Sequence, residues 1–153
     1  MRLTEILQPG CVKIPLDATE KQEAIFELVD LICQRAGIRS SDQLRAAVWQ
    51  REMTRTTGIG HGIAIPHCKH TDCGELRLAI GKPAEPIDFD SVDGRPVDLI
   101  FLLTSPQNQT GPHVQALAQI SRLWTDSDLR ASLNGAKSAD ELYQRIRDYE
   151  ARG

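Results

Sequence analysis

The chain has no apolar run long enough to cross a bilayer, no block of basic side chains and no cysteine framework. Its longest uninterrupted apolar stretch, Leu99-Ile100-Phe101-Leu102-Leu103, falls far short of the roughly 20 residues a membrane helix needs, so it reads as a buried strand. Membrane insertion is not expected. Eighteen basic against twenty-one acidic side chains leave a net charge of −3. With no basic row to neutralise phosphates, a nucleic-acid partner is not expected either. The first ten residues carry charge but no sustained apolar stretch or small-residue cleavage site, which argues against a secretory signal. Cys11, Cys33, Cys68 and Cys73 fit no disulfide spacing, so reduced thiols in the cytoplasm are expected. Internal repeats and Pro/Gly/Ser-rich linkers are missing too. The 153 residues, 1–153, are therefore expected to form one domain, large enough to bury about two thirds of the unfolded chain's surface.

What the chain does have is an alternation of helical and extended patterns. Thr19 with Gln22 reads as a capping box ahead of Ile25, Leu28, Val29 and Ile32, which keep helical spacing up to Gly37. A second box, Ser40 with Gln43, opens a helix that carries Arg51 near its end. Ile63-Ala64-Ile65, the alternating Leu76, Leu78 and Ile80, and the run from Val97 to Leu103 read as strands, the last of them central. Weaker strand signals lie at Val12 to Leu16 and at Ile87 with Phe89. Pro112 suits a first helical turn just before His113, and Val114, Leu117, Ile120 and Leu123 continue that helix. A short helix from Ser127 to Leu133 follows, and Ser138 with Glu141 opens a terminal helix through Leu142, Ile146 and Tyr149. The interleaving predicts an α/β fold, a single mixed β-sheet with helices on both faces.

The chemistry gathers in the seventeen residues from Arg51 to His67. A histidine has a near-neutral pKa and two distinct ring nitrogens, so one can attack while a hydrogen bond orients the other. Phosphoryl transfer asks the protein mainly for positioning and charge stabilisation. Thr56 and Thr57 offer hydroxyls, and Gly58, Gly60 and Gly62 permit backbone N–H groups to converge on an anion. Arg51 offers a planar charged fork, and His113, at a helix start, a second imidazole. Together these predict a cradle for a phosphohistidine at His67.

Other readings of the same residues are weaker. Gly58-Ile-Gly-His-Gly-Ile lacks the third glycine of the dinucleotide spacing, and no Gly-Lys-Ser/Thr follows. Asp88, Asp90, Asp93 and Gly94 suggest a calcium loop only faintly, since Val92 fills a ligand position and no glutamate stands at Leu99. The rival from another class is a zinc module, because His61, His67, Cys68, His70 and Cys73 crowd into thirteen residues, although their spacing matches no closed zinc pattern. A pure interaction module that takes no phosphate is the third reading. Without Arg51, the Thr-Gly loop and His113, His67 would pass for a structural histidine.

Arg51-Glu52, Thr56-Thr-Gly-Ile-Gly60 and Gly62-Ile-Ala-Ile-Pro-His67 resemble the phosphorylation motif of the IIA components of the bacterial sugar phosphotransferase system, fructose/mannitol type, which include the nitrogen-related IIA protein. The likeness continues through Pro86-Ile-Asp-Phe-Asp, Asp93-Gly-Arg-Pro-Val-Asp-Leu-Ile-Phe-Leu-Leu, Gln109-Thr-Gly-Pro-His113 and Glu141-Leu-Tyr. It implies that His67 accepts a phosphoryl group from an HPr-type phosphocarrier, that Arg51 and His113 stabilise it, and that no metal or other cofactor takes part. It implies as partners a IIB domain or regulated proteins, and Pro96-Val-Asp-Leu-Ile-Phe101 and Glu141-Leu-Tyr143 resemble the nitrogen-related branch most. His61 and Cys68 stand where relatives often carry small or amide residues. An apolar docking patch of Ile59, Ile63 and Ile65 is expected around the histidine.

Overall fold

The computed structural model describes residues 1–152. After a 3-10 turn at Leu3–Glu5 come β1 (Leu7–Leu16), α1 (Lys21–Ala36), α2 (Ser41–Thr54), β2 (Gly58–Gly60), β3 (Ile63–Ala64), β4 (His67–Lys69), β5 (Arg77–Pro83), β6 (Leu99–Ser105), α3 (Thr110–Trp124), α4 (Ser127–Asn134) and α5 (Ala139–Ala151). The six strands form one mixed sheet in the order β1-β5-β6-β3-β2, with β4 also paired to β6. β5 runs parallel to β1 and antiparallel to β6, while β3 and β4 both run parallel to β6. All seven residues of β6 are buried, so both faces of the sheet are covered at its centre. The cover comes from two groups of helices, α1 packed on α2 and the succession α3, α4, α5. This is the expected α/β architecture. Among the described residues, no helix is long and apolar enough to cross a membrane.

Several local expectations change. The helix expected after Thr19 begins at Lys21 with Glu20 in the cap position and no side-chain cap. Glu27 on α1 instead accepts from the N–H groups of Asp17 and Ala18 in the segment before the helix, at 3.0 and 2.9 Å, which fixes the chain's entry into α1. Ser40 does precede α2, but its backbone is not extended and its hydroxyl makes no cap bond. Asp30 on α1 instead receives Nε and Nη2 of Arg45 at 2.8 and 2.6 Å, tying α2 to its neighbour. The alternation expected at Leu76 to Ile80 gives way to Leu78, Ala79, Ile80 and Gly81 buried in succession, because β5 lies inside the sheet with both faces covered. β1 is longer than expected, and Ile87 contributes only one bridge, to Val97.

The break between β3 and β4 positions the chemistry. Both lie along the same edge of β6, with Ala64 opposite Ile100 and His67 opposite Leu103. Between them Ile65 turns its N–H to the Thr57 carbonyl at 3.0 Å, and Pro66 has no N–H to offer. His67 therefore opens a new strand instead of ending the one before it. The Ile65 carbonyl, at the break, is left for the histidine ring.

Candidate functional site

Three elements meet at an open cavity of about 610 Å³. Ala47, Gln50, Arg51 and Thr54 line it from one face of α2, at helical spacing. His67 and Lys69 enter from β4 and share a strand face, being two residues apart. His113 and Leu117 come from the first turns of α3, which follows β6. The site lies outside the carboxyl ends of the parallel β4 and β6, where α/β sheets commonly bind ligands. A larger groove of about 780 Å³ beside α3, α4 and α5 has no histidine, and its four arginines (Arg2, Arg122, Arg145, Arg152) face four carboxylates (Asp126, Asp128, Asp148, Glu150).

The two imidazoles stand edge to face, with ring centroids 5.4 Å apart. Nδ1 of His67 lies 2.7 Å from the Ile65 carbonyl. A carbonyl only accepts, so Nδ1 carries the proton and Nε2 keeps a free lone pair. Burial lowers the pKa of His67, the Ile65 contact opposes this, and the charges of Arg51 and Lys69 lower it further. His113 is 4% exposed and its Nδ1 meets the hydroxyl of Ser105. Burial first, then His67 and Lys69, push its pKa down to about 4. Both rings are thus neutral near pH 7, and the positive charge of the site comes from Arg51 and Lys69. Arg51 donates to the Arg55 carbonyl at 3.1 Å, and Lys69 reaches the Thr110 hydroxyl at 3.5 Å.

The loop residues do not join this cavity. Thr57 gives both its N–H and its hydroxyl to the buried carboxylate of Glu52, at 2.8 and 2.6 Å, and Lys21 completes that cluster at 3.0 Å. Thr56 donates its hydroxyl to the Phe89 carbonyl at 2.6 Å and accepts from Gly58 N–H at 3.1 Å. Gly60 and Gly62 flank the β2–β3 hairpin, where His61 and Gly62 both have positive φ, 58° and 81°, as a two-residue turn of the primed kind requires. A side chain at Gly60 or Gly62 would press on Asp93 or Asp98. The glycines serve a hairpin, not the cavity around His67.

His61 sits at the tip of that hairpin, its N–H given to Asp93 at 3.0 Å and its carbonyl taken by the Trp124 indole at 3.0 Å. It borders a separate cavity with Arg95, Asp98 and Arg130, near the Leu99 end of β6 and not the Leu103 end where His67 pairs. Nothing supports the zinc alternative: among the described residues, no group of three or more His, Cys, Asp or Glu side chains is placed to hold a metal ion. The four cysteines are free. Cys68 lines the His67 cavity with its reduced thiol beside that of Cys73; hydrogen bonding between the two, with burial, raises the pKa of Cys68, and the same hydrogen bonding lowers that of Cys73. Of the expected docking patch, Ile63 and Ile65 are core residues and only Ile59 is exposed.

Lys69 and Ser105 escaped the sequence reading. Lys69 had a usable signal, since a strand at 67–69 puts it on the face of His67. Ser105 had none, because only the packing of α3 on the end of β6 brings it to His113.

A family model described as phosphoenolpyruvate-dependent sugar phosphotransferase system, EIIA 2, matches residues 5–149. The chain belongs to that family. EIIA components are phosphotransferases that pass phosphoryl groups by way of a histidine, and this chain is a phosphocarrier of that kind. A nitrogen regulatory protein of Pseudomonas aeruginosa is 33% identical over 98% of this chain and 97% of its own length. The fructose-specific EIIABC component of Bacillus subtilis is 29% identical over 98% of this chain, which spans only 24% of that protein. Among solved structures, nitrogen regulatory protein IIA-Ntr from Neisseria meningitidis superposes with a TM-score of 0.85 at 30% identity, covering 93% of this chain and 97% of that one. The mannitol IIA of Escherichia coli, solved in complex with phosphorylated enzyme IIB, shares the fold with a TM-score of 0.76 at 16% identity, over 94% and 99% of the two chains.

Proposed function

We propose that Nε2 of His67 is the phosphoryl acceptor of this phosphocarrier. The observation that carries the reading is the meeting of two neutral imidazoles, a guanidinium and an ammonium at one open cavity, with the Nε2 lone pair of His67 unclaimed. The lone pair attacks the phosphorus of a phosphohistidine on an HPr-type carrier. A new N–P bond forms as the old one breaks, and the carrier's imidazole leaves with the electron pair. The His67 ring gains positive charge in the step, and its Nδ1–H bond to the Ile65 carbonyl stabilises that charge. Arg51 and Lys69 balance the roughly −1.5 to −2 charges of the bound group, and His113 supports its oxygens.

The carrier docks on the rim of the cavity, where Met53 on α2 and Val114 on α3 are 64% and 56% exposed next to lining residues. This pair replaces the isoleucines expected from sequence. We place the chain in the cytoplasm as a single domain over 1–153. Its likeness to IIA-Ntr of Neisseria meningitidis, with a TM-score of 0.85 at 30% identity against 0.76 at 18% for a mannitol IIA, supports a regulatory role over sugar transport. In that role the phosphorylation state decides which proteins bind.

The test is intact-mass measurement after mixing with a phosphorylated HPr-type carrier. The parent protein gains one phosphoryl group and His67→Ala gains none. Labelling that persists in His67→Ala contradicts the assignment. Addition of a IIB domain then separates transport, which discharges the label, from regulation, which retains it.

A further inference from the structure

Ser105 ends β6, is fully buried, and accepts His70 N–H on its carbonyl at 2.9 Å. Its hydroxyl meets Nδ1 of His113, in the first turn of α3. The contact has two polarities. If Nδ1–H donated, the hydroxyl proton would be buried without an acceptor. If the hydroxyl donates, only lone pairs stay unfilled, which costs less. A neutral ring has one proton, so an accepting Nδ1 leaves it on Nε2, on the ring edge away from Ser105.

We propose that Ser105 is a positioning residue that holds His113 as its Nε2–H tautomer, presenting a donor to the phosphoryl group on His67. The two imidazoles are then opposite in kind. His67 has its Nδ1 proton bound to the Ile65 carbonyl and offers a bare Nε2, while His113 has its Nδ1 filled by Ser105 and offers an Nε2 proton. One ring takes the phosphorus and the other holds an oxygen. Were His113 the other tautomer, it would aim a lone pair at an anion, and the two would repel. The consequence for transfer rests on the phosphocarrier reading of His67, but the tautomer is a property of the free protein.

Two measurements test this. In the unphosphorylated, ¹⁵N-histidine-labelled protein, long-range ¹H–¹⁵N correlations are expected to show His113 protonated at Nε2, with Nδ1 an acceptor. Ser105→Ala is expected to lose that preference and Ser105→Thr to keep it. In single-turnover transfer from the phosphorylated carrier, Ser105→Ala should slow the transfer step on the order of 10-fold without weakening carrier binding, and Ser105→Thr should transfer like the parent. An Nδ1–H tautomer in the parent overturns the proposal, as does a Ser105→Ala protein with unchanged tautomer and rate. If the tautomer is as expected but the parent takes no phosphoryl group, the phosphocarrier reading and the catalytic half of this proposal both fall, while the Ser105 hydrogen bond stands.

Discussion

At the scale of the residue, one cavity holds two neutral histidines together with two cations. Burial, Arg51 and Lys69 all lower the pKa of His67 below its ordinary 6.5, so its lone pair stays available as the pH falls through that value. Phosphoryl acceptance is therefore expected to hold level from neutral pH down past 6.5 and to fall only in more acidic buffer, in a profile of rate against pH at saturating carrier. A midpoint at or above 6.5 contradicts the electrostatic account. Lys69→Ala removes one cation with two opposed effects. It raises the pKa of His67, moving the acid limb upward, and, on the proposed mechanism, it slows transfer at neutral pH by at least about 10-fold, because the cavity loses one of its two cations. Stopped-flow transfer from the carrier reads both. That His67, Arg51 and His113 share one cavity could be read from the sequence because each sits beside a local signal: a proline before a strand, the last turn of a helix, the first turn of another. Thr56, Thr57 and the glycines were misplaced because adjacency in sequence does not say which way a backbone faces. Glu52 turns the threonines inward, and the hairpin carries the last two glycines away.

Elements set these residues in place, and their ends hold clear tests. Ser138 accepts from Glu141 N–H at 3.1 Å, and Asp126 accepts from Asp128 and Leu129 at 3.0 and 3.1 Å, so both are working caps. Ser138→Ala and Asp126→Ala are each expected to cost about 1 kcal/mol in urea unfolding. Thr19→Ala and Ser40→Ala are expected to change stability hardly at all, since neither side chain caps its helix. A cost at Ser40 equal to that at Ser138 contradicts the structure. Thr19, Ser40 and Ser138 carry the same kind of sequence signal. The distinction comes from partners away from the cap, Glu27 of α1 holding the segment before the helix and Arg45 with Asp30 between α1 and α2, which the capping pattern does not encode. Helix and strand periods were readable because burial imposes them. The interruption at Ile65 and Pro66 was not, although Pro66 is its visible cause.

For the whole molecule, the site draws on both halves of the chain, and the termini are joined by Glu150, whose carboxylate accepts from Leu3 N–H at 2.6 Å and from Thr4 N–H at 3.1 Å. Mixed-sheet architecture followed from the order of patterns, but not the strand order, which decides that β4 lies beside β6 and so brings His67 to His113. That closeness links function to stability. The folded chain holds His113 at about 4, while an unfolded histidine titrates near 6.5. As pH falls below 6.5 the unfolded state takes up a proton that the folded state refuses, so stability is full above 6.5 and is lost down to about 4. His113→Gln removes this loss. Relative to the variant, the parent should weaken by up to about 3 kcal/mol between those limits and not at all above them, in urea titrations at a series of pH values. A gap that does not change with pH contradicts the burial of a neutral ring.

The central claim is that the migrating group rests on one particular nitrogen, and nuclear magnetic resonance of the ¹⁵N-histidine-labelled phosphoprotein tests it most directly. The account predicts phosphorus coupled to Nε2 of His67, with the Nδ1 proton retained. Phosphorus on Nδ1, or on His61, His70 or His113, would contradict it.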